Sequence, residues 1–195
     1  MKEEKAFLVG ISNSDKDTRS VKDSLEELKL LTETLGIDVV GSTFQRVQFI
    51  NPAYYVGSGK VSEICHSARE LGASTVIFDT ELSYSQIRNL KDKIGLKCFD
   101  RSTIIIEIFA RRAKTAEGKI QVELAKLKHD LPLLIDRDRN FDQLFASPGL
   151  RGPGEKKIEV LRRSIKNKIR IYEKKLEKIK SQRDIRKRLR QRRSI

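Results

Sequence analysis

The run Gly57-Ser58-Gly59-Lys60 is the first place to look for chemistry, because exposed amides beside a lysine are what a nucleotide's phosphates require. A P-loop also needs a glycine five positions before the Gly-Lys pair, and a hydroxyl residue just after it to hold Mg²⁺. Tyr54 and Val61 occupy those two places, which excludes a P-loop. The run suits a tight strand-to-helix turn instead, whose amides could still cradle a phosphate. His66 and His129 have no carboxylate or thiol at ligand spacing. His66 reads as an ordinary helix residue, and His129 lies on a lysine-rich turn where it could meet an anionic partner. Asp136, Asp138 and Asp142 imitate a metal or acid–base cluster, but Arg137 and Arg139 alternate with them, so a solvated charged loop is the better reading. Cys65 and Cys98 stand in apolar stretches without CxxC spacing and read as structural thiols of a reducing compartment. These residues supply no catalytic group, no metal site and no cofactor site.

RGPGE (151–155) is more specific, and its chemistry is conformational. Gly-Pro-Gly fixes one φ and frees two. Pro153 suits the first turn of a helix, and Glu155 the positive end of its dipole. Arg151, Lys156, Lys157, Arg162 and Arg163 crowd around this turn, more cations than helix nucleation needs. A second cationic block, RDIRKRLRQRRSI, ends the chain. It contributes Arg186, Arg188 and Arg190 to the candidate RNA contacts.

The overall balance points the same way. The formal charge is +14 over 195 residues. Residues 1–100 hold 13 Lys/Arg against 15 Asp/Glu, whereas residues 101–195 hold 28 against 12. The first half is therefore neutral, and the second half is built for a polyanion, since each neutralised phosphate releases condensed counterions. No signal peptide opens the chain and no stretch approaches a membrane span, so a cytoplasmic protein with no membrane partner is expected.

The elements that must position these residues follow from periodicity. KAFLVGI (5–11) is a buried strand. Val21, Leu25, Leu28, Leu31 and Leu35 make one apolar face of a helix over 18–35, stopped at Gly36. Residues 38–50 read as a strand bent near Gly41, Lys60–Leu71 as a helix stopped at Gly72, and 75–79 as a strand. Ser83 opens a helix closed at Gly95, and 96–100 form a last strand. Such alternation predicts an α/β fold with a small, mostly parallel sheet and flanking helices over residues 1–100. After Asp100, spacings of three and four predict one long helix ending near Pro132. From Pro153 a second helix carries Ile158, Leu161, Ile165, Ile169, Tyr172, Leu176 and Ile179 as a coiled-coil seam. Residues 101–195 thus form an expected long antiparallel two-helix coiled-coil hairpin, with a tip loop at about 133–152 and an arginine-rich end.

The stretch DRSTIIIEIFARRAKTAEGKIQVELAKLKHDLPLL (100–134), the RGPGEKKIEVLRRSIKNKI that begins at Arg151, and NPAYYVGSGKVSEI (51–64) closely resemble the N-terminal part of the HflX family of ribosome-associated GTPases. The resemblance covers nearly the whole chain. It implies an α/β subdomain and a helical hairpin that docks on the large ribosomal subunit, its tip directed at the peptidyl transferase region. It implies ribosome splitting or rescue, a stress-linked role, as the family's task. By position, Arg151, Gly152, Pro153, Gly154 and Glu155 would form the base of the tip. Arg111, Arg112 and Lys114 would lie on the first hairpin helix, and Arg162 and Arg163 on the second. The family's GTP and Mg²⁺ belong to a G domain that follows this region, and residues 1–195 contain no P-loop to bind them. The expected partners are the large subunit and its rRNA, with a C-terminal GTPase domain as a further one. The sequence also admits two other readings: a coiled-coil protein-interaction module without rRNA binding, and an enzyme using the α/β half.

Overall fold

A computed structural model describes the backbone of residues 4–13, 18–144 and 153–193, and the side chains of residues 4–12, 20–132 and 159–185. The chain divides into two compact units, Met1–Ile108 and Phe109–Ile195.

The first unit alternates strand and helix: β1 (Lys5–Asn13), α1 (Thr18–Thr34), β2 (Asp38–Val47), α2 (Ser58–Glu70), β3 (Thr75–Phe78), α3 (Tyr84–Ile94), β4 (Lys97–Asp100) and α4, which begins at Arg101 and runs to Arg112. The four strands form one sheet with parallel pairings, in the order β2-β1-β3-β4. Strand order reverses between β1 and β3, so the crossovers cover both faces. On one face α1 and α4 bury Val21, Leu25, Leu28, Ile104 and Ile108 against Ala6, Leu8 and Ile77. On the other, α2 and α3 bury Val61, Ile64, Leu90 and Ile94 against Phe7, Val9, Val76 and Phe78. A strand with helices on both sides needs no polar face, which is why β3 is buried along its whole length.

Local chemistry sets the ends of these elements. Gly36, Gly72 and Gly95 all take positive φ, and at Gly95 the left-handed residue is the C-cap of α3. Ser83 caps the start of α3 in a reciprocal box: the Ser83 hydroxyl accepts from the Gln86 amide, and the Gln86 side-chain oxygen accepts from the Ser83 amide. The bend in β2 is a bulge, where Ala6 pairs with Val39 but Phe7 pairs with Gly41. A Cβ at Gly41 would stand 2.6 Å from Leu71 Cδ1 and 3.0 Å from Phe7 Cε2, so a larger residue here would make those side chains give way. β2 ends at Val47, short of the expected residue 50, and Phe49 beyond it is 89% exposed.

The second unit departs from the single long helix expected after Asp100. Asp100 does cap α4, its Oδ1 accepting from the Thr103 amide at 2.8 Å. The helix nevertheless stops at Arg112, and α5 starts at Ala116 and runs to Leu144. The break has a visible cause. The Thr115 hydroxyl accepts the Gly118 amide at 3.0 Å and the Thr115 carbonyl accepts the Lys119 amide, so Thr115 is a new N-cap. Pro132 does not end α5: it withholds one amide from the carbonyl four residues back and the ladder continues. Residues 133–144, expected as the first part of a tip loop, are therefore helical, including Asp136, Asp138 and Asp142. Residues 145–152 lie outside the described part. α6 runs from Pro153 to Arg193. Two ion pairs join α5 and α6: Lys128 Nζ meets Glu173 Oε1 at 2.8 Å, and Arg183 pairs with Glu117.

Candidate nucleic-acid interface

The sequence placed its candidate RNA contacts in the basic second half. Arg111 and Arg112 form the last turn of α4, and Lys114 follows in the break before α5; all three are exposed. Gly154, Lys156 and Lys157 lie in the first turns of α6, and Arg186, Arg188 and Arg190 in its last turns. The side chains of these two sets, and Arg151 and Gly152 altogether, lie outside the described residues. Along the described stretch of α6, residues 159–185, ten Lys/Arg stand against four Asp/Glu. Lys166, Lys168, Arg170, Lys174, Lys178 and Lys180 are all exposed.

Arg162 and Arg163 are brought together on one carboxylate. Glu159 Oε2 accepts from Arg162 Nε at 2.6 Å, and its Oε1 accepts from Arg163 Nε at 2.8 Å. The hydrogen bond from Arg162, then that from Arg163, holds the Glu159 carboxyl down from 4.5 to about 2. Sequence reasoning named both arginines and missed the carboxylate. Its signal was the spacing, since a glutamate three and four residues before two arginines reaches both on a helix.

Other cations are engaged in holding the fold. Lys128 and Arg183 serve the α5–α6 ion pairs. The guanidinium of Arg69 donates to the Ile94 carbonyl at 2.9 Å, satisfying the end of α3. His129 keeps only 17% of its side chain exposed, with Nδ1 3.4 Å from Asp130 Oδ1, so it is a poor RNA contact. In the first unit, Lys60 of the glycine-lysine run donates to Thr43 Oγ1 at 2.7 Å and pairs with Glu63. Gly57 is the N-cap of α2 at φ −63°, an ordinary conformation, and its amide donates to Gln45 Oε1. The turn is thus fastened to β2 rather than presented to a phosphate. At the carboxyl end of β3, Asp79 is bound by Arg101, whose Nη1 is 2.8 Å from Asp79 Oδ1 and whose Nη2 is 2.6 Å from Glu27 Oε1. Among the described residues no three His, Cys, Asp or Glu side chains gather at metal-ligand distance, and no helix is long and apolar enough to cross a membrane.

A neutral parallel α/β unit followed by long cationic helices defines a class. Residues 22–110 match the family model for the N-terminal region of GTP-binding GTPases, and residues 112–192 match the model for their middle region. The chain is 41% identical over 192 residues to the GTPase HflX of Caldanaerobacter subterraneus subsp. tengcongensis, covering 98% of this chain and 44% of that one. It is 37% identical over 182 residues to the GTPase HflX of Escherichia coli, covering 93% and 42%. The chain belongs to the HflX family and corresponds to its N-terminal and middle regions. It spans less than half the length of these curated relatives. The same fold occurs in a GTP-binding protein from Sulfolobus solfataricus solved in complex with GDP, with a TM-score of 0.60, 24% identity, and coverage of 91% of this chain and 46% of that one.

Proposed function

We propose that this chain is a ribosome-binding unit that holds large-subunit rRNA through the cationic face of a helical hairpin. The carrying observation is α6, a 41-residue helix whose described length bears an exposed excess of lysine and arginine. A-form rRNA offers phosphates and 2′-hydroxyls rather than readable base edges, and a long cationic helix suits that target. An antiparallel arrangement of α5 and α6 is supported by the order of their ion pairs. Partners advance from Glu117 to Lys128 along α5 while they retreat from Arg183 to Glu173 along α6. The segment between the helices, which contains Arg151 and Gly152, would then form the tip, directed in this reading at the peptidyl transferase region. Splitting or rescue of ribosomes, and GTP use by a G domain, follow in this reading from the family.

Sedimentation of the chain with 70S particles and with separated subunits, without GTP, tests the reading. Co-migration with the large subunit is expected. Replacing Arg151, Lys156, Lys157, Arg162 and Arg163 together by Ala should abolish it, and unchanged co-migration of that variant would remove the tip region from the contact. A second reading, a hairpin that docks a protein, rests on Val160, Leu161 and Ile171, which leave α6 exposed. A dimer insensitive to salt, with no large-subunit binding, would favour it.

A further inference from the structure

We infer that the α/β unit carries a second RNA contact of different chemistry: the face of β2 turned toward α1, with Phe49 just beyond it, stacks unpaired bases. The inference deepens the rRNA reading and rests on it for the biological ligand only. β2 divides its side chains between two faces. Thr43 and Gln45 turn toward α2, where they meet Lys60 and the Gly57 amide. Phe44 and Arg46 alternate with them and therefore lie on the α1 face. There Phe44 pairs with Gly10, over which Val21 and Leu25 of α1 are packed. The bulge before Gly41 turns the alternation over, so that Val39 packs in the α1 cluster and Val40 in the α2 cluster. Asp38, the acid of β2, consequently stands on the opposite face from Arg46. As an edge strand β2 is only partly covered: Phe44 keeps 43% exposure, and Phe49, two residues past the strand, keeps 89%.

The surroundings are cationic. Ser24 and Glu27 mark the flank of α1 that meets Arg101 of α4. At about 100° per residue, Lys22 and Lys29 fall on the other flank, toward β2. Lys60, Arg69 and Arg101 are tied into the fold. The side chains of Lys22, Lys29 and Arg46 have no hydrogen-bond or ion-pair partner among the described residues. Exposed rings beside such cations are the combination that holds single-stranded RNA, the rings stacking on bases and the cations meeting phosphates. A protein partner would have to bring acids to match these cations. RNA carries its negative charge and its stacking face on every nucleotide. The long helix α6 offers charge alone, so this face is where the chain tells unpaired nucleotides from paired ones.

The chain has no tryptophan, so Phe49→Trp installs a single fluorescent reporter at this face. Phe49 is exposed enough that neither F49W nor Phe49→Ala should disturb the fold, which circular dichroism verifies. The full chain and its variants are titrated with oligoadenylate and with an abasic ribose-phosphate oligomer of the same length and charge. Oligoadenylate should quench F49W saturably, and the abasic oligomer should not. F49A should bind oligoadenylate about tenfold more weakly and the abasic oligomer unchanged, with F49W keeping the affinity of the unaltered chain. F49A binding oligoadenylate as tightly as the unaltered chain overturns the inference, whatever the large subunit does. So does an F49W emission that moves with protein concentration and not with RNA, which would mark a surface for a second copy. If the unaltered chain ignores the large subunit while F49A still loses oligoadenylate, the ribosomal reading falls and the stacking face stands.

Discussion

Replacing Arg101 by Leu should destabilise the α/β unit by about 2–3 kcal/mol. Arg101 opens α4 directly after β4, and its guanidinium bonds Asp79 at 2.8 Å, Ser24 Oγ at 3.0 Å and Glu27 at 2.6 Å. Burial disfavours its charge, but the hydrogen bonds to Glu27 and Asp79 outweigh that cost and raise its pKa. The partners differ in what they lose. Glu27 is 62% exposed and regains water, so it adds at most about 0.5 kcal/mol. Asp79 is 6% exposed and would be left as a buried carboxylate without its cation. Breaking a fully buried pair costs about 3–5 kcal/mol; the guanidinium keeps 23% exposure, which places this case lower. Asp79→Asn in the Arg101→Leu background should recover about half of the loss, because an amide tolerates burial better than a lone carboxylate. Urea titration with amide exchange read in β3 and β4 reports this unit alone. A loss below about 1 kcal/mol, or strict additivity of the two substitutions, would refute the assignment of Asp79 as a buried charge dependent on Arg101.

Gly10→Ala should cost about 1–3 kcal/mol, because the new Cβ would stand 2.8 Å from Leu25 Cδ1 and 3.1 Å from Val21 Cγ1 in a closed interface. Gly59→Ala meets nothing within 4 Å and should stabilise α2 by about 0.5–1 kcal/mol; paired melting curves check both. The depressed Glu159 carboxyl contributes stability above its unfolded pKa of about 4.5 and loses it as pH falls through about 2. A carboxyl-carbon titration should therefore show Glu159 still ionised at pH 4. Burial pushes the Cys98 thiol up from 9.0 to about 12, so its contribution is intact below pH 9 and is lost only as pH rises toward 12. Iodoacetamide at pH 8.5 should leave Cys98 unlabelled until urea unfolds the chain. Lys128→Glu should loosen the α5–α6 contact by about 0.5–1 kcal/mol, and Glu173→Lys in the same chain should restore it, read by thermal melting of the helical signal.

The α/β unit was legible because each of its signals was local. Gly36, Gly72 and Gly95 each follow an apolar helical run and take positive φ, Ser83 precedes one and caps it, and the bend at Gly41 is a bulge. The second unit was harder for physical reasons. Ala113, Lys114 and Thr115 do not forbid a helix, and the cap at Thr115 carries only half of the usual signature, with Gly118 where a glutamate would complete the box. Pro132 carries the signal of a terminator, but a long helix can give up one hydrogen bond and continue, as α5 does. Of the candidate site, the arginines were visible as charge, but which cations bind outward and which serve the fold was not. Lys128, Arg183 and Arg69 look like any other surface cations until their partners are seen.

The most direct test of the central claim is the salt dependence of binding to the isolated large subunit. Contact with about five phosphates predicts a log–log slope near −4, roughly a 250-fold loss of affinity between 50 and 200 mM salt. Removing Arg162 and Arg163 together should flatten that slope by about 1.5. A slope near zero, or one unmoved by their removal, would contradict an rRNA grip by this face of α6.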